Sequence, residues 1–352
     1  MAEDARPIAA YVSSAGTKEV IQFAFDPVTR APRPIGTTPV PGPDGPSPTS
    51  MPMTLSPDHK RLYVAVRSAP FPVTSFAVDG ASGMLTRLAT AELPDAMAYL
   101  STDRSGRYLF GASYVGAKLS ISVMEGEGQI LGPAIQVIKT PPKAHCVLAD
   151  PTNRWVYATS LGGDVILQMR FDAANGALSP NARLALPAKQ GCGPRHIAFH
   201  PVGDYLYVVN ELDATIAGYA IDPGDGSLEE RQVIAMLDPD AAILPSAADI
   251  HLTPDGRFLY ASERTTNGLV AFGIDPQTRT LNRLAAYRTE SSPRGFAISP
   301  CGRLLLAAGQ TSGRIAIHAL DPRDGRLTAI GRHAAGSNPN WVEFVTLARP
   351  KD

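Results

Sequence analysis

Residues 193–228 read GPRHIAFHPVGDYLYVVNELDATIAGYAIDPGDGSL. Three short apolar runs, HIAFH, YLYVVN and TIAGYAI, are separated by turn residues, and a Pro-Gly-Asp-Gly turn leads into a fourth run. Apolar residues that alternate in this way predict half-buried β-strands, and Asp, Gly and Pro tolerate the backbone angles of tight turns. The stretch therefore predicts a unit of four short strands.

This unit recurs along the whole chain. A Pro/Asp turn runs into an apolar strand six times, as in SPDHKRLYVAV from Ser56 and TPDGRFLYASE from Thr253. A period of 40–50 residues built from short strands is typical of β-propeller blades. We therefore predict an all-β fold without long helices, a single seven-bladed propeller domain of four-stranded blades over residues 1–352. The seven acidic turns that mark the repeats, 46–53 residues apart, are at Asp26, Asp79, Glu125, Asp172, Asp222, Asp275 and Asp321.

The two ends of the sequence fit one shared blade. AAYVSSAG and EVIQFAFD near the N-terminus resemble second and third strands, whereas NWVEFV near the C-terminus resembles a first strand. We expect the C-terminal strand to complete the blade that the N-terminus begins, because this closes the ring without a long unpaired edge. The proline-rich residues 39–48 cannot form a central strand, since proline removes ladder donors, and are predicted to be a surface loop that either pads the fold or helps to rim a pocket.

Composition excludes several classes of partner. The formal net charge is −1 and no Lys/Arg run occurs, which argues against nucleic acid or an anionic membrane surface. No apolar stretch is long enough to span a membrane, and the first ten residues lack the pattern of a signal peptide. The three cysteines form no CxxC pair, which favours reduced thiols over disulfides or a zinc site. We expect a cytoplasmic protein without metal or other cofactor, either a monomer or a weak homo-oligomer.

Two positions of the repeat carry reactive residues where structural positions would carry small or apolar ones. Equivalent positions of a propeller surround one axis, so we expect these residues to meet on one face, near the central channel. The residues at the start of each inner strand are Met51, Ala98, His145, Arg195, Ala248, Arg294 and Asn340. The second position lies four residues beyond the aromatic residue of the second strand, which is leucine in one repeat. Its residues are Ala15, Arg67, Tyr114, Leu161, Glu211, Arg264 and Gln310.

The chemistry of this set suits an anionic substrate that undergoes water attack or proton transfer. His145 can exchange a proton near neutral pH, and Glu211 is either a second candidate base or the group that orients the imidazole. Arg195, Arg264 and Arg294 present planar forks that fit carboxylate, phosphate or a developing oxyanion. No serine or cysteine nucleophile and no metal cage is evident in the sequence.

Each candidate also has a structural interpretation. Glu211 and Arg264 could form an ion pair between blades, and His251 could serve packing alone. His196 directly follows Arg195, so strand alternation would direct its ring to the opposite face, between blades. The candidate substrate-binding residues are Arg294, Arg67, Tyr114, Gln310 and His196.

Several motifs resemble the seven-bladed β-propeller lactonase family. They are GPRHIAFHP followed by NEL (193–212), ADIHLTPDGRFLYASERT (248–265), SPRGFAISPCGRLLLAAGQ (292–310) and the terminal SNPNWVEFV. The likeness spans the chain, is densest from about residue 190 onward, and is greatest to bacterial propeller-type 6-phosphogluconolactonases. The family is also known to include carboxymuconate-lactonizing enzymes and aldaric-acid lactonases.

The resemblance implies a hydrolase that opens a small anionic sugar-acid lactone, with His145, Arg195, Glu211 and Arg264 as its catalytic residues. The expected reaction converts 6-phospho-D-glucono-1,5-lactone to 6-phosphogluconate. An aldaric-acid lactonase, a carboxymuconate cycloisomerase and a non-enzymatic interaction platform remain alternatives. The sequence departs from the family at Ser160, where many members carry an acidic residue, and in its longer proline-rich loop.

Overall fold

The computed structural model describes residues 6–26, 29–45, 47–126, 128–238 and 242–348. Within these ranges the regular structure is entirely β-strand, and 28 strands form seven four-stranded antiparallel sheets. The predicted all-β, seven-bladed propeller is therefore confirmed. None of the described residues forms a helix that could cross a membrane.

The strands follow one another blade by blade. The chain begins with three strands of a composite blade, β1 (Ile8–Ser14), β2 (Glu19–Phe25) and β3 (Pro32–Pro39). Blade 1 contains β4 (Met53–Leu55), β5 (Arg61–Ala65), β6 (Pro72–Val78) and β7 (Leu85–Glu92). Blade 2 contains β8 (Met97–Thr102), β9 (Tyr108–Ser113), β10 (Lys118–Glu125) and β11 (Gln129–Lys139). Blade 3 contains β12 (Ala144–Ala149), β13 (Trp155–Ser160), β14 (Val165–Asp172) and β15 (Ala177–Pro187).

The second half of the chain repeats the pattern and returns to the start. Blade 4 contains β16 (Pro194–Phe199), β17 (Tyr205–Asn210), β18 (Thr215–Ile221) and β19 (Leu228–Ala235). Blade 5 contains β20 (Ala247–Leu252), β21 (Phe258–Glu263), β22 (Gly268–Ile274) and β23 (Leu281–Arg288). Blade 6 contains β24 (Pro293–Ile298), β25 (Leu304–Gly309), β26 (Arg314–Leu320) and β27 (Leu327–Ala334). The last strand is β28 (Pro339–Thr346).

The ring closes through β28, as the sequence predicts. The composite blade has the strand order β28-β1-β2-β3, and Ala10 of β1 pairs with Phe344 of β28. The innermost strands of neighbouring blades contact one another all the way round, including β28 with both β24 and β4. The first and last strands are thus paired, and neither is left as an open edge.

The apolar core lies between neighbouring blades. Each of the seven blade interfaces in the described chain holds its own cluster of buried apolar side chains. Between blades 3 and 4, for example, Trp155 and Tyr157 pack with Leu206 and Val208. Full burial of one large apolar side chain contributes about 1.5–3 kcal/mol, so these clusters hold the blades in a fixed angular relation.

Tyrosines of the second strands bind four of the blades to the next blade. Their hydroxyls donate hydrogen bonds to carbonyls of the acidic turn in the following blade, which links the two motifs that define the repeat. The bonds run from Tyr11 to Gly83 (2.9 Å), Tyr157 to Gly226 (2.7 Å), Tyr207 to Arg279 (2.7 Å) and Tyr260 to Gly325 (2.6 Å).

Three aromatic rings meet inside the central channel. Tyr99 of β8 lies 5.0 Å from His196 of β16 and 5.3 Å from Trp341 of β28, centroid to centroid. We call the end of the channel where the inner strands begin the channel mouth. A cavity of about 330 Å³, here the opposite cavity, lies on the other side of these rings, and Asp249 and His251 are among its lining residues.

Candidate active site

The two repeat positions that carry reactive residues are joined by a backbone hydrogen bond. In five blades the N–H of the second-strand position donates to the carbonyl two residues before the inner-strand position. Each of these five blades therefore presents one residue of each kind side by side at the channel mouth. The bonds run from Leu161 to Lys143 (3.0 Å), Glu211 to Gly193 (2.8 Å), Arg264 to Ser246 (3.1 Å), Gln310 to Ser292 (3.0 Å) and Ala15 to Asn338 (3.1 Å).

A left-handed residue and a bulge aim the side chains of the inner-strand position. Lys143, Gly193, Ser292 and Asn338 all have φ between 54° and 67° and stand two residues before the position. The pairing register then shifts at the first strand residues of blades 3, 4 and 6. A bulge of this kind re-aims a side chain, and here it turns these side chains toward the mouth. A Cβ on Gly193 would lie 2.7 Å from Cγ of Leu212, so glycine allows the close approach of Leu212 to this turn.

Arg195, Glu211 and Arg264 form one ion-pair cluster across blades 4 and 5. Nε of Arg195 lies 2.8 Å from one carboxylate oxygen of Glu211, and Nη2 of Arg264 lies 3.0 Å from the other. Arg264 also donates from Nε to the Ser246 carbonyl at 3.0 Å. Burial would raise the pKa of Glu211, but the two guanidinium groups outweigh it and hold that pKa below its usual value. Glu211 is therefore a carboxylate at neutral pH.

Arg195 is the most deeply buried member of this cluster, with 1% of its side chain exposed. Its Nη1 donates to the Ala248 carbonyl and lies 3.2 Å from Nε2 of His196. Burial lowers the pKa of Arg195 to about 10, against the attraction of Glu211. The guanidinium is held on three sides, so its orientation is fixed before any substrate arrives.

His145 lies at the mouth with 3% of its surface exposed. Its ring packs edge-on against Tyr114, at 5.7 Å between centroids, and against His196, at 5.1 Å. Burial, then the positive charges of Arg195 and Arg294, hold the pKa of His145 well below 6.5. Nδ1 of His145 has no hydrogen-bond partner among the described residues. The imidazole is thus neutral at pH 7, and this buried ring nitrogen is unpartnered in the described chain.

Arg294 and Arg67 add positive charge without a matching carboxylate. Arg294 is half-buried and has no hydrogen bond or ion pair with the described part of the chain. Burial and the like charges of Arg195, Arg264 and Arg67 hold the pKa of Arg294 well below its usual value. Of these four arginines, Arg195 and Arg264 pair with Glu211, whereas Arg294 and Arg67 form no ion pair with any described residue. An anionic ligand would relieve this excess of positive charge.

The two residues directly after the proline-rich loop contact Arg67 and Gln310. Nη1 of Arg67 donates to the hydroxyls of Thr49 and Ser50, both at 3.0 Å, and Nε2 of Gln310 donates to the Thr49 carbonyl at 3.4 Å. No strand forms over residues 40–45 or 47–50, which agrees with the predicted loop; Pro46 lies outside the described residues. Thr49 and Ser50, which directly follow this loop, thus contact two of the predicted substrate-binding side chains.

The predicted position of His196 between blades is wrong. Its ring lies in the channel against Tyr99 and Trp341, because the register shift between Pro194 and His196 turns the strand by one residue. The ring is 3% exposed and belongs to the floor of the site. It stands between Arg195 and Asp249.

Some residues that shape the site were not singled out by the sequence as functional. Asp164 accepts hydrogen bonds from the N–H groups of Gly191 (2.7 Å) and Gly193 (2.9 Å) and so fixes the approach to Arg195. Ser160, the departure from the family pattern, donates to the Pro142 carbonyl at 2.6 Å and fixes the approach to His145. Asp249 directly follows the inner-strand position Ala248. A comparison of the residues that follow this position in each repeat could have identified it.

The thiols do not form a reactive centre. Cys146, Cys192 and Cys301 are unbridged, and burial raises the pKa of Cys146 and of Cys192 to about 12. A thiol with so high a pKa is a weak nucleophile at neutral pH. The described residues contain no group of three or more His, Cys, Asp and Glu side chains arranged to hold a metal ion.

The structure thus defines a seven-bladed propeller with a cluster of arginine, glutamate and histidine side chains at one channel mouth. Residues 8–344 match the family described as Lactonase, 7-bladed beta-propeller, and the chain belongs to that family. Its activity is therefore that of a lactonase, a hydrolase acting on a lactone ester.

Individual relatives agree with this assignment. A 6-phosphogluconolactonase of Pectobacterium carotovorum is 39% identical over 296 residues, which cover 84% of this chain and 88% of that protein. One of Serratia proteamaculans is 38% identical over 294 residues, with the same coverage. The structure of a periplasmic gluconolactonase from Pseudomonas aeruginosa superposes with a TM-score of 0.86 at 26% identity and covers 97% of this chain and all of that one.

Proposed function

We propose that this protein hydrolyses 6-phospho-D-glucono-1,5-lactone to 6-phosphogluconate at the channel mouth. The observation that carries the proposal is the excess of arginine around a neutral histidine. A phosphorylated lactone brings the negative charge that this cluster lacks and a carbonyl that the cluster can polarise. The relatives named 6-phosphogluconolactonase support the same substrate.

His145 is the general base in this proposal. Its pKa lies below 6.5, so the imidazole is unprotonated at pH 7, and its Nδ1 has no partner among the described residues. Glu211 fits the role poorly, because both of its oxygens contact arginines and its pKa is lowered. We assign Glu211 to hold Arg195 and Arg264 in place and to balance part of their charge.

The reaction then proceeds in two steps with balanced protons. His145 takes a proton from water as the water oxygen bonds to the lactone carbonyl carbon, and the carbonyl oxygen becomes an oxyanion facing Arg195 and Arg264. The oxyanion collapses, the bond to the ring oxygen breaks, and protonated His145 returns the proton to that oxygen. The new carboxylic acid ionises to solvent, so each turnover releases one proton. One preorganised donor to the oxyanion is worth roughly 10²–10³ in rate.

Arg294 and Arg67 are proposed to bind the phosphate. Removing one charge-assisted contact costs about 1.5–3 kcal/mol, or about 10- to 100-fold in affinity. We expect Arg294→Met to raise KM by about that factor for the phosphorylated lactone and to change KM much less for unphosphorylated glucono-1,5-lactone. Parallel progress curves followed by ¹H NMR on both fresh lactones measure the difference. An equal increase in KM for the two substrates would show that Arg294 does not bind the phosphate.

The pH profile tests the base. Because the pKa of free His145 lies below 6.5, kcat/KM for unphosphorylated glucono-1,5-lactone should stay level down to that pH and fall below it as the imidazole is protonated. Arg294→Met should move this acid limb to higher pH, because it removes a like charge that lowers the pKa of His145. Initial rates between pH 4.5 and 8 give the acid limb of the wild-type enzyme and that of Arg294→Met. A limb at or above pH 6.5 in the wild-type enzyme would contradict the assignment.

Unphosphorylated gluconolactone is the second candidate substrate, because the Pseudomonas aeruginosa neighbour is named a gluconolactonase. We further propose that the protein acts in the cytoplasm, as a monomer or a weak homo-oligomer, and in the pentose phosphate pathway that the proposed product implies. The three unbridged cysteines support a reducing compartment. Cell fractionation and light scattering test location and assembly.

A further inference from the structure

A chain of contacts runs from the candidate active site through the channel floor. Asp249 follows Ala248, whose carbonyl accepts from Arg195, and β20 shifts register between Ala247 and Ile250. The carboxylate of Asp249 lies 2.7 Å from Nδ1 of His196 in the neighbouring blade. Nε2 of the same imidazole lies 3.2 Å from Nη1 of Arg195. Asp249 and Arg195 are therefore linked by one histidine ring.

The chemistry of the three groups determines where the protons are. A guanidinium can only donate hydrogen bonds, so Nε2 of His196 must accept from Arg195. The imidazole is then neutral and carries its proton on Nδ1, from which it donates to Asp249. Burial, with the adjacent charge of Arg195, lowers the pKa of His196 to about 4, so the ring stays neutral at physiological pH. Each bond in the series has one permitted direction.

The carboxylate of Asp249 has four polar contacts, although it lies outside the mouth. One oxygen accepts from His196 and from the N–H of Ile250 at 3.0 Å. The other accepts from the N–H of Phe296 at 3.1 Å and lies 3.2 Å from Nε2 of His251. Burial alone would raise the pKa of Asp249, but His251 and His196 hold it well below its usual value. The carboxylate is a fixed anchor in the channel wall.

We propose that Asp249 and His196 are positioning residues that orient the guanidinium of Arg195 for the reaction at the channel mouth. The proposal rests on the function proposed above. Asp249 fixes the tautomer and rotation of His196. Nε2 of His196 then accepts from Nη1 of Arg195, the nitrogen that also donates to the Ala248 carbonyl, and Glu211 holds Nε of the same guanidinium. Neither residue needs to contact the substrate.

Two neutral substitutions of His196 separate the two ends of the ring. The amide of His196→Gln can reach the place of Nε2 and present an oxygen to Arg195, whereas that of His196→Asn can reach only the place of Nδ1 and Asp249. We expect His196→Asn to lower kcat about tenfold and His196→Gln to recover most of that loss. His200→Gln is the matched control, since His200 is a histidine of the same strand region with the same 3% exposure, far from Arg195. Equal losses in both His196 variants would overturn the proposal.

A double-mutant cycle distinguishes positioning from general damage. If His196 acts through Arg195, His196→Asn should change the rate less than twofold in an Arg195→Ala background, against about tenfold in the wild type. A tenfold loss in both backgrounds would show that His196 acts independently of Arg195. Thermal unfolding of each variant checks that the compared proteins are folded.

A readout without substrate keeps this inference separate from the proposed reaction. ¹⁵N NMR of histidine-labelled protein should show His196 as the neutral Nδ1–H tautomer from pH 5 to 9, and Asp249→Asn should disturb that tautomer. A His196 that titrates near pH 6.5, or that carries its proton on Nε2, would overturn the positioning proposal even in an active enzyme. If the protein gave the expected spectrum but had no lactonase activity, the contacts of His196 would be supported and only the proposed reaction would be refuted.

Discussion

Arg195→Lys is expected to lower kcat for the lactone by about 10²–10³ while the protein remains folded. Lysine keeps the positive charge, but a single ammonium cannot contact Glu211, the Ala248 carbonyl and His196 at once, as the guanidinium does. The developing oxyanion would lose a donor whose direction is fixed in advance. The loss should therefore appear mainly in kcat, measured by saturation kinetics on freshly prepared lactone.

A matched control for this variant lies elsewhere in the propeller. Arg257 donates from both terminal nitrogens to carbonyls of the next blade, at Pro322 and Arg323, on the outer surface. Arg257→Lys should leave kcat unchanged and affect only thermal stability. If Arg195→Lys retained wild-type kcat, or lost activity only through unfolding, Arg195 would not be the oxyanion donor.

His145→Ala is the second substitution with a large expected effect, a loss of at least about 10² in kcat. The base would be absent, and the small side chain would leave space beside Tyr114, which now packs against the imidazole at 5.7 Å. Added imidazole should restore part of the activity, with a pH dependence that follows the pKa of free imidazole. Rates are measured after subtraction of the spontaneous opening of the lactone.

The control for chemical rescue is a histidine outside the mouth. His333 of β27 packs against Phe23 at 6.0 Å, and His333→Ala should keep full activity and show no response to imidazole. A wild-type kcat in His145→Ala would show that another group is the general base. A loss that imidazole does not reverse in a folded variant would favour a structural role for His145.

The fold was predictable because its determinants are local and repeated. Each blade carries an acidic turn, and six of the seven carry an aromatic residue at the same second-strand position. The structure shows tyrosines of one motif bonded to the turn of the next. The composite blade was also predictable, since a first strand at the C-terminus complements second and third strands at the N-terminus. The pairing of β1 with β28 confirms it.

Part of the candidate site was predictable for a related reason. The repeat positions that hold Arg195 and Glu211 are adjacent in three dimensions because Glu211 donates from its N–H to Gly193, two residues before Arg195. Comparison of the repeats therefore selected residues that share one rim. The orientation of His196 was not predictable, because a bulge cancels the strand alternation on which the prediction depended.

Other features depend on contacts that no local pattern shows. Thr49, directly after the proline-rich loop, reaches Gln310 of blade 6 only because the ring closes and places blades 6 and 1 on the two sides of the composite blade. Asp249 sits in a motif that was recognised for other reasons, and its link to His196 crosses from one blade to the next. The unmatched charge of Arg294 follows from the distribution of carboxylates around the whole mouth, which only the assembled propeller defines.

The most direct test is acid release in a pH-stat from freshly prepared 6-phospho-D-glucono-1,5-lactone, with and without enzyme and with EDTA present. We predict acid release well above the spontaneous rate, unchanged by EDTA and lost in His145→Ala. No acceleration above the spontaneous rate would contradict the proposed reaction and direct the same measurement to unphosphorylated, aldaric and muconate lactones.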